Sequence, residues 1–191
     1  MMSDYFTILE RASQSDNPPA ATEVVEALLT AEKAAKKSKE AHIFPELIGT
    51  WRLKFFTGTQ KARQRTGIVL GAGRYIPDWV KVYIAYSETA QISNSVKLGF
   101  FTLTITGPTK FLPPKNILAF EFLRINIFVW EHLIYQGYMR GGEKSAAEFQ
   151  EKGLQKQPFF AYFLIQRDKI AARGREGGLA LWARENETRE Q

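Results

Sequence analysis

The residues that could carry acid–base or metal chemistry are few in this chain. Its only two histidines, His42 and His132, have apolar neighbours, which favours a structural role over that of a general base. Aspartate occurs only at positions 4, 16, 78 and 168, and we expect Asp168, in a predicted turn, to cap backbone amides. No His, Asp and Glu trio has metal-site spacing, and the absence of cysteine excludes a thiolate site. The sequence therefore predicts a protein with no catalytic residues, no metal and no cofactor.

Two glycine motifs match phosphate-binding loops only in part. Gly71-x-Gly73 lacks the third glycine and is followed by Ile76-Pro77 instead of a helix, so no helix N-terminus is available for a pyrophosphate. In residues 142–145, a glutamate separates the glycine from the Lys-Ser pair. The net charge of +6 is a modest excess that favours anionic surfaces, whether phospholipid or nucleic acid, and no block is basic enough to choose between them. We expect a lipid and no nucleic-acid partner.

The elements that must position any site are mostly strands. In residues 49–57 the apolar side chains of Trp51, Leu53 and Phe55 alternate with polar ones, which predicts a strand with one buried face. Gly107-Pro108 is expected to close a later hairpin arm. About eight strands are predicted in all. They include residues 49–57, 79–86, 92–98, 100–106, 117–130, 159–166, 169–173 and 179–183, and residues 67–77 are interpreted as a strand followed by a glycine-rich turn.

Two helices are predicted ahead of the strands, over residues 3–13 and 19–40. They define a helical segment, residues 1–41, that packs on a strand domain of residues 42–191. The end of the second helix carries the densest basic run, where the helix dipole favours cations. This run is either a solvated helix end or a contact with an anionic membrane. The membrane interpretation assigns that contact to Lys33, Lys36, Lys37 and Lys39.

Two later stretches indicate a covered surface and a barrel mouth. Residues 117–130 are apolar on both strand faces, so we expect one face to meet the interior and the other to meet the helices, a partner or a membrane. This stretch is too short and too interrupted to form a membrane-spanning helix. Residues 137–157 are polar, and we interpret them as a loop or lid at the mouth, with a short helix over 143–151.

The Gly49-x-Trp51 step resembles the start of the first strand in lipocalin-like (calycin) barrels. In those barrels the tryptophan closes one end, and an arginine from a late strand lies across its ring. The resemblance assigns that arginine to Arg173.

A closing signature resembles the plastid lipid-associated protein (fibrillin, plastoglobulin) family of plants and cyanobacteria. It reads Asp168-x-Ile170-x-x-Arg173-Gly174-x-x-Gly177-Gly178-Leu179, and Asn94-Ser95-Val96 and Leu103-Thr104-Ile105-Thr106-Gly107-Pro108 support it. The resemblance extends from about residue 42 onward and departs at residues 130–157, which are longer and more charged. It marks as structural motif residues Gly49, Trp51, Asp168, Arg173, Gly174 and Gly177.

The resemblance implies a mainly β, antiparallel lipocalin-like barrel of about eight strands, preceded by two helices. It also implies non-enzymatic binding of a hydrophobic small molecule, such as a prenylquinone, a carotenoid or a fatty acyl lipid. Peripheral association with thylakoid membranes or lipid bodies is part of the same expectation. Because residues 1–16 lack the features of a signal or transit peptide, we expect a cyanobacterial, cytoplasmic member of the family. The residues assigned to the ligand are Trp51, Phe55, Tyr83, Phe101, Phe120, Phe122 and Phe163, with Arg173 as the polar one.

Two alternatives remain open. A bilin lyase of the same calycin type would need a polar cavity, which an internal Glu121 or Asp168 would favour. A scaffold for an isoprenoid-pathway enzyme could dock through the basic helix, although no protein partner is identified. The lipid-binding hypothesis instead predicts a cavity at the end away from Trp51, with no charged pair inside and affinity drawn from buried apolar area.

Overall fold

The computed structural model describes residues 4–58, 73–139 and 147–185. Two α-helices, α1 and α2, precede a 3₁₀ turn at Phe44–Leu47. The helices span Asp4–Gln14 (α1) and Ala21–Ser38 (α2). The strands are Gly49–Thr57 (β1), Gly73–Tyr75 (β2), Val80–Tyr86 (β3), Gln91–Leu98 (β4), Phe101–Leu112 (β5), Ile117–Phe120 (β6), Arg124–Val129 (β7), His132–Tyr138 (β8), Phe159–Ile165 (β9), Lys169–Gly174 (β10) and Leu179–Arg184 (β11).

Eight of these strands form a closed antiparallel barrel, which confirms the predicted fold class. Their order around the ring is β1, β3, β4, β5, β6, β9, β10 and β11, and β11 pairs with β1 to complete it. We call the end where β1 begins the closed end, because Trp51 lies there. We call the end where β1 stops the mouth.

Hydrogen bonds between strand ends define the mouth. The amide of Leu179 donates to Oγ1 of Thr57 at 2.9 Å, which joins β11 to the end of β1. The amide of Arg175 donates to the carbonyl of Phe159 at 3.1 Å, and the amide of Phe120 donates to the carbonyl of Pro158 at 3.1 Å. The start of β9 and the end of β6 therefore lie at the same end as Thr57.

The long apolar strand predicted over residues 117–130 is broken into β6 and β7. Strand β5 pairs with β6 through residues 109–112 and with β7 through residues 101–106. Strand β7 in turn pairs with β8, so these two strands leave the barrel as an appended hairpin, which we call the β7–β8 extension. The sequence predicted a loop from residue 137 onward and no strand over residues 132–136, so β8 was missed.

Strand β5 also runs through Gly107-Pro108, where the sequence predicted the hairpin arm to end. A Cβ on Gly107 would lie 1.8 Å from the carbonyl oxygen of Glu121. The backbone of the break between β6 and β7 thus presses directly on β5, and only glycine leaves room for it. The glycine serves this close approach within a strand and does not mark a turn.

Both helices pack on the outer face of the barrel, over β1, β9, β10 and β11. Leu9, Val24 and Leu28 are fully buried there. Near the mouth, the Tyr75 hydroxyl donates to the carbonyl of Pro19 at 2.8 Å, just before α2 begins. After α2 ends, the Asn116 side chain donates to the carbonyl of Glu40 at 2.8 Å, in the turn between β5 and β6. Helix α2 therefore runs from the mouth to the closed end, over about 27 Å.

Two β-bulges change which face some aromatic residues occupy. The register between β1 and β11 shifts at Lys54, so Trp51 lies in the interior while Phe55 lies against the helices. The register between β9 and β10 shifts at Phe163, which also lies against the helices. An extra residue on one strand reverses the alternation that follows it. The predicted barrel-lining positions of Phe55 and Phe163 are therefore wrong.

Candidate functional site: a cavity at the barrel mouth

The closed end is plugged by Trp51, whose side chain is fully buried. Its Nε1 donates to the carbonyl of Leu47 at 2.7 Å. The guanidinium across its ring belongs to Arg184, with Cζ 4.1 Å from the ring centroid, so the assignment to Arg173 is wrong. Trp51 and Arg184 are cross-strand partners in the register between β1 and β11.

Arg184 is held by more than the tryptophan. Its Nε donates to the carbonyl of Arg167 at 2.5 Å, and its Nη1 donates to the carbonyl of Ile48 at 3.1 Å. Burial, with the positive charge of Arg167, lowers the pKa of this guanidinium. Gly49 adopts φ +128°, and a Cβ there would lie 2.5 Å from Nη1 of Arg184. The glycine of the Gly-x-Trp step therefore makes room for the arginine.

Arg173 lies instead on the outer surface, where it fastens α2 to the barrel. Its Nε and Nη2 donate to the two carboxylate oxygens of Glu32, at 2.8 and 2.5 Å, and Nη1 donates to the carbonyl of Gly177 at 2.7 Å. The hydrogen bond from Arg173 outweighs the effect of burial and lowers the pKa of Glu32. Arg173 is thus a structural residue and does not line the interior.

The rest of the motif is also structural in its contacts. The carboxylate of Asp168 accepts hydrogen bonds from the side chains of Gln14 at 2.9 Å and Lys169 at 2.7 Å. Asp168 therefore binds side chains, where the sequence predicted that it would cap backbone amides. Gly174 and Gly177 form the tight turn between β10 and β11, with Gly177 at φ +86°.

The interior next to the closed end is filled by aromatic side chains. The hydroxyls of Tyr86 and Tyr162 share a hydrogen bond of 2.6 Å, and burial raises the pKa of both. The ring of Phe160 packs against Trp182 and stacks on Phe120, with centroids 5.6 and 5.0 Å away. This aromatic chain leads from the plugged end toward the mouth.

A cavity of about 600 Å³ lies at the mouth, where the barrel meets residues 148–158. Its position agrees with the prediction that a cavity opens at the end away from Trp51. Two predicted ligand residues, Phe120 and Phe122, contribute to its wall, with ring centroids 5.2 Å apart. The lining residues are Phe120, Glu121, Phe122, Met139, Glu148, Lys152, Lys156, Gln157 and Pro158.

The segment 147–158 is fixed to the barrel by its own contacts. Phe149 is fully buried, and its carbonyl accepts a hydrogen bond of 2.7 Å from Nε2 of Gln157. Lys110 of β5 donates to the carbonyl of Gln150 at 3.1 Å, and Arg175 donates to the carbonyl of Gln157 at 3.2 Å. Of the predicted helix over 143–151, residues 147–149 are helical and residues 143–146 lie outside the described residues.

A charged pair lines this cavity, contrary to the expectation of an uncharged one. Nζ of Lys152 donates to both carboxylate oxygens of Glu121, at 3.2 and 3.1 Å. Lys156 lies on the same wall and is exposed. Among the described residues, no carboxylate pairs with Lys156. The cavity therefore offers aromatic surface together with the Glu121–Lys152 pair, a further cation at Lys156 and a further carboxylate at Glu148.

The remaining predicted ligand residues are elsewhere. Tyr83 points out of the barrel, where its hydroxyl donates to Glu185 at 3.3 Å. It is the neighbour of the buried Ile84, and adjacent residues of a strand face opposite sides. Phe101 pairs with Leu98 and Val129 beyond the packed interior, at the base of the β7–β8 extension. Of the eight residues assigned to the ligand, Phe120 and Phe122 line the cavity and Trp51 lies at the opposite end.

Sequence reasoning missed most of the cavity wall. Met139, Lys152 and Pro158 come from the stretch interpreted as a lid, and no periodicity marks which of its residues turn inward. Glu121 carried a usable signal, because a carboxylate inside a strand that is apolar on both faces must find a partner or lie near water.

The four lysines assigned to a membrane contact lie near the closed end, away from the cavity. Lys33, Lys36, Lys37 and Lys39 are exposed, and Nζ of Lys36 lies 3.2 Å from Glu32. Lys39 ends α2 in the left-handed region, at φ 53°.

Within the described residues, no helix has the length and apolar character to cross a membrane. No cluster of His, Cys, Asp or Glu in these residues could hold a metal ion. His42 instead contacts Glu46, with Nδ1 2.8 Å from the carboxylate. The partial phosphate-loop motif at residues 142–145 lies outside the described residues, as does Gly71.

Comparison with known proteins gave likeness of fold only. No protein-family model matches the chain, and the search of curated proteins gave no match. Among solved structures, a lipocalin-like protein from Bacteroides uniformis aligns with a TM-score of 0.44 at 10% identity, over 73% of this chain and 99% of that one. Fatty-acid-binding protein 1 of Echinococcus granulosus aligns with a TM-score of 0.32 at 10% identity, over 75% of this chain and 100% of that one.

Proposed function

We propose that this protein binds a lipid-like small molecule at the mouth of its barrel, as a carrier without catalytic activity. The observation that carries the proposal is the cavity bounded by Phe120, Phe122 and Lys156. Its volume falls in the range of small-molecule sites, and such sites combine apolar walls with a few placed polar groups. An acyl or prenyl chain would lie against the phenylalanine rings, and a polar or anionic head would lie beside Lys156.

Chain and head can be tested separately with two probes of similar length. A fluorescent fatty acid reports on the anionic head, and the corresponding fatty alcohol, used as a competitor, reports on the chain alone. We expect Phe122→Asp to weaken both, because it places a charge on the apolar wall. We expect Lys156→Met to lower the affinity for the fatty acid several-fold and to leave the affinity for the fatty alcohol unchanged. Phe100→Asp is the matched control, because it makes the same substitution on a residue outside the cavity.

The result that would refute ligand binding is equally specific. If neither probe binds the parent protein and neither raises its Tm, the cavity is not a lipid site. If the acid and the alcohol lose affinity together in Lys156→Met, the lysine shapes the wall and does not bind the head. Circular dichroism of each variant separates lost binding from lost folding.

One observation favours the bilin lyase as a second candidate function. Glu121 lines the cavity, and an acid-bearing pocket is what that hypothesis requires. The same carboxylate is already paired with Lys152, so it is neutralised in this structure. An open-chain tetrapyrrole that binds more tightly than the fatty acid, and loses affinity in Glu121→Gln, would favour the lyase.

The proposal has a second part, peripheral association with a membrane or lipid body. It is supported by the excess of positive charge and by the lipid-like ligand proposed for the cavity. Membership of the fibrillin family and a location at thylakoid membranes belong to the same proposal and rest on the motifs of the closing strands. Co-sedimentation with vesicles tests the membrane part without reference to the cavity.

A further inference from the structure

Four large apolar residues are exposed together at the mouth end of the molecule, and we call them the aromatic row. They are Trp79, Leu98, Phe100 and Trp130, with 74%, 40%, 56% and 69% of their surface exposed. Trp79 precedes β3, Leu98 ends β4, Phe100 lies in the turn between β4 and β5, and Trp130 begins the turn between β7 and β8. Exposed apolar groups of this size, gathered in one place, mark an interaction surface.

Strand register places the row along one line. Val80 pairs with Leu98, Leu98 with Phe101, Phe101 with Val129 and Val129 with His132, which joins the ends of five neighbouring strands. Adjacent strands are about 4.8 Å apart, so the line is roughly 19 Å long. The rings of Phe100 and Trp130 stack in this row, with centroids 5.2 Å apart and planes 9° from parallel.

The backbone at Trp130 is unfavourable for a tryptophan. Trp130 and Glu131 have φ values of 50° and 66°, and together they form the two-residue turn between β7 and β8. Such turns prefer Asn-Gly, because a bulky side chain is strained in the left-handed region. No burial compensates for this strain, since the indole is mostly exposed. Apart from its stacking on the exposed ring of Phe100, the indole at this turn tip is therefore not explained by folding.

Two lysines form the next residue pair along β3 and β4, beside the pair of Val80 and Leu98 at the row. Lys81 and Lys97 are exposed and directly opposite each other in the register between β3 and β4. Like charges in this position destabilise a strand pair, and neither lysine has a carboxylate partner among the described residues. Of the acids near the row, Asp78 lies 3.8 Å from Arg52, and Glu131 is exposed in the turn. An anionic phosphate layer would complement the lysine pair.

We infer that the aromatic row is the surface by which this protein docks on a lipid bilayer, with Lys81 and Lys97 against the phosphates. Tryptophan side chains favour the membrane interface, and lysine side chains reach from apolar surroundings toward the headgroups. The row lies at the same end as the cavity, so a docked molecule presents its mouth toward the lipid. The inference rests on the membrane part of the proposed function. Because α2 carries Lys36 and Lys39 to the closed end, a flat bilayer cannot hold both ends at once.

The test compares variants at the two ends on vesicles of phosphatidylcholine with and without phosphatidylglycerol. Trp130→Asn supplies a residue that the turn prefers, so we expect its Tm to equal or exceed that of the parent. Its vesicle affinity should nevertheless fall about tenfold, with a further loss on adding Trp79→Ala. A fourfold variant with alanine at Lys33, Lys36, Lys37 and Lys39 is the control and should keep its affinity. Binding by apolar insertion should also persist at high salt.

Each other outcome has one meaning. If the parent binds no vesicle, the membrane part of the proposed function fails and the inference fails with it. If the fourfold lysine variant loses binding and Trp130→Asn does not, the protein docks by its basic end and the inference alone is overturned. If the parent sediments as a dimer that Trp130→Asn dissociates, the row binds a second copy of the chain. Fatty-acid affinity in the cavity should be unchanged in Trp130→Asn under every outcome.

Discussion

Removing the contact between Trp51 and Arg184 tests how the barrel is closed. Trp51→Ala deletes a fully buried ring, and such truncations cost about 3–5 kcal/mol. Arg184→Ala removes a guanidinium over an indole face, worth about 0.5–2 kcal/mol, and two hydrogen bonds to backbone carbonyls. Since those carbonyls can regain water, we expect a total loss of about 2–4 kcal/mol for Arg184→Ala.

The two losses should not add, because both variants delete the same contact. The coupling energy of the double-mutant cycle should equal the cation–π energy, about 0.5–2 kcal/mol. The matched control is Arg173→Ala combined with Trp51→Ala, because Arg173 contacts Glu32 and Gly177 instead of the ring. That pair should be additive within about 0.5 kcal/mol.

Urea unfolding followed by circular dichroism measures each free energy, and equal m-values confirm that the denatured states are comparable. In thermal unfolding, Trp51→Ala should lower the Tm by roughly 6–20 °C for a chain of this size. The Tm of Trp51→Phe should lie between those of the parent and of Trp51→Ala, since phenylalanine keeps a ring face but loses the hydrogen bond to Leu47. Additive losses for Trp51 and Arg184, or coupling between Trp51 and Arg173, would refute this account of the closed end.

Three further substitutions test other parts of the structure. The pKa of Glu32 is held below its ordinary value of 4.5, so the ionised carboxylate stabilises the fold above that pH, and this contribution is lost as the pH falls through the lowered pKa. The free energy of unfolding of Glu32→Gln should therefore fall less steeply with acid than that of the parent protein. Tyr162→Phe should cost about 1–3 kcal/mol in urea unfolding by leaving the buried Tyr86 hydroxyl unpaired, and adding Tyr86→Phe should recover most of that loss; a double variant less stable than either single one would contradict this. Gly107→Ala should lower the Tm by several degrees, because its Cβ would overlap a backbone carbonyl; an unchanged Tm would show that β5 and the break beside it can separate without cost.

The order and faces of many strands could be predicted, because the period-2 alternation is a local property of the sequence. The bulges at Lys54 and Phe163 could not be predicted, because nothing in the surrounding sequence distinguishes an extra, unpaired residue from a regularly paired strand residue. The faces of Phe55 and Phe163 were therefore wrong, although the strands that carry them were right. The alternation rule fails wherever one unpaired residue intervenes.

The partner of Trp51 was misassigned for a related reason. Arg173 and Arg184 both lie on the closing strands, and choosing between them requires the register between β1 and β11. The cavity's general position could be predicted, since a ring that plugs one end leaves the other open. Its charged wall could not, because Lys152 and Lys156 come from a segment whose path follows tertiary contacts rather than periodicity.

The pairing of the first barrel strand with the last has a consequence for how the chain folds. Thr57 and its partner Leu179 are 122 residues apart, so at ordinary rates of synthesis roughly 6–24 s separate their emergence from the ribosome. The apolar faces of α1 and α2 remain unburied for longer still, because they precede β1 and the surface that buries Leu9 and Leu28 includes β9, β10 and β11. The ring thus forms after translation of its last strand, by slow non-local closure. Until then the nascent chain exposes apolar surface of the kind that holdase chaperones bind.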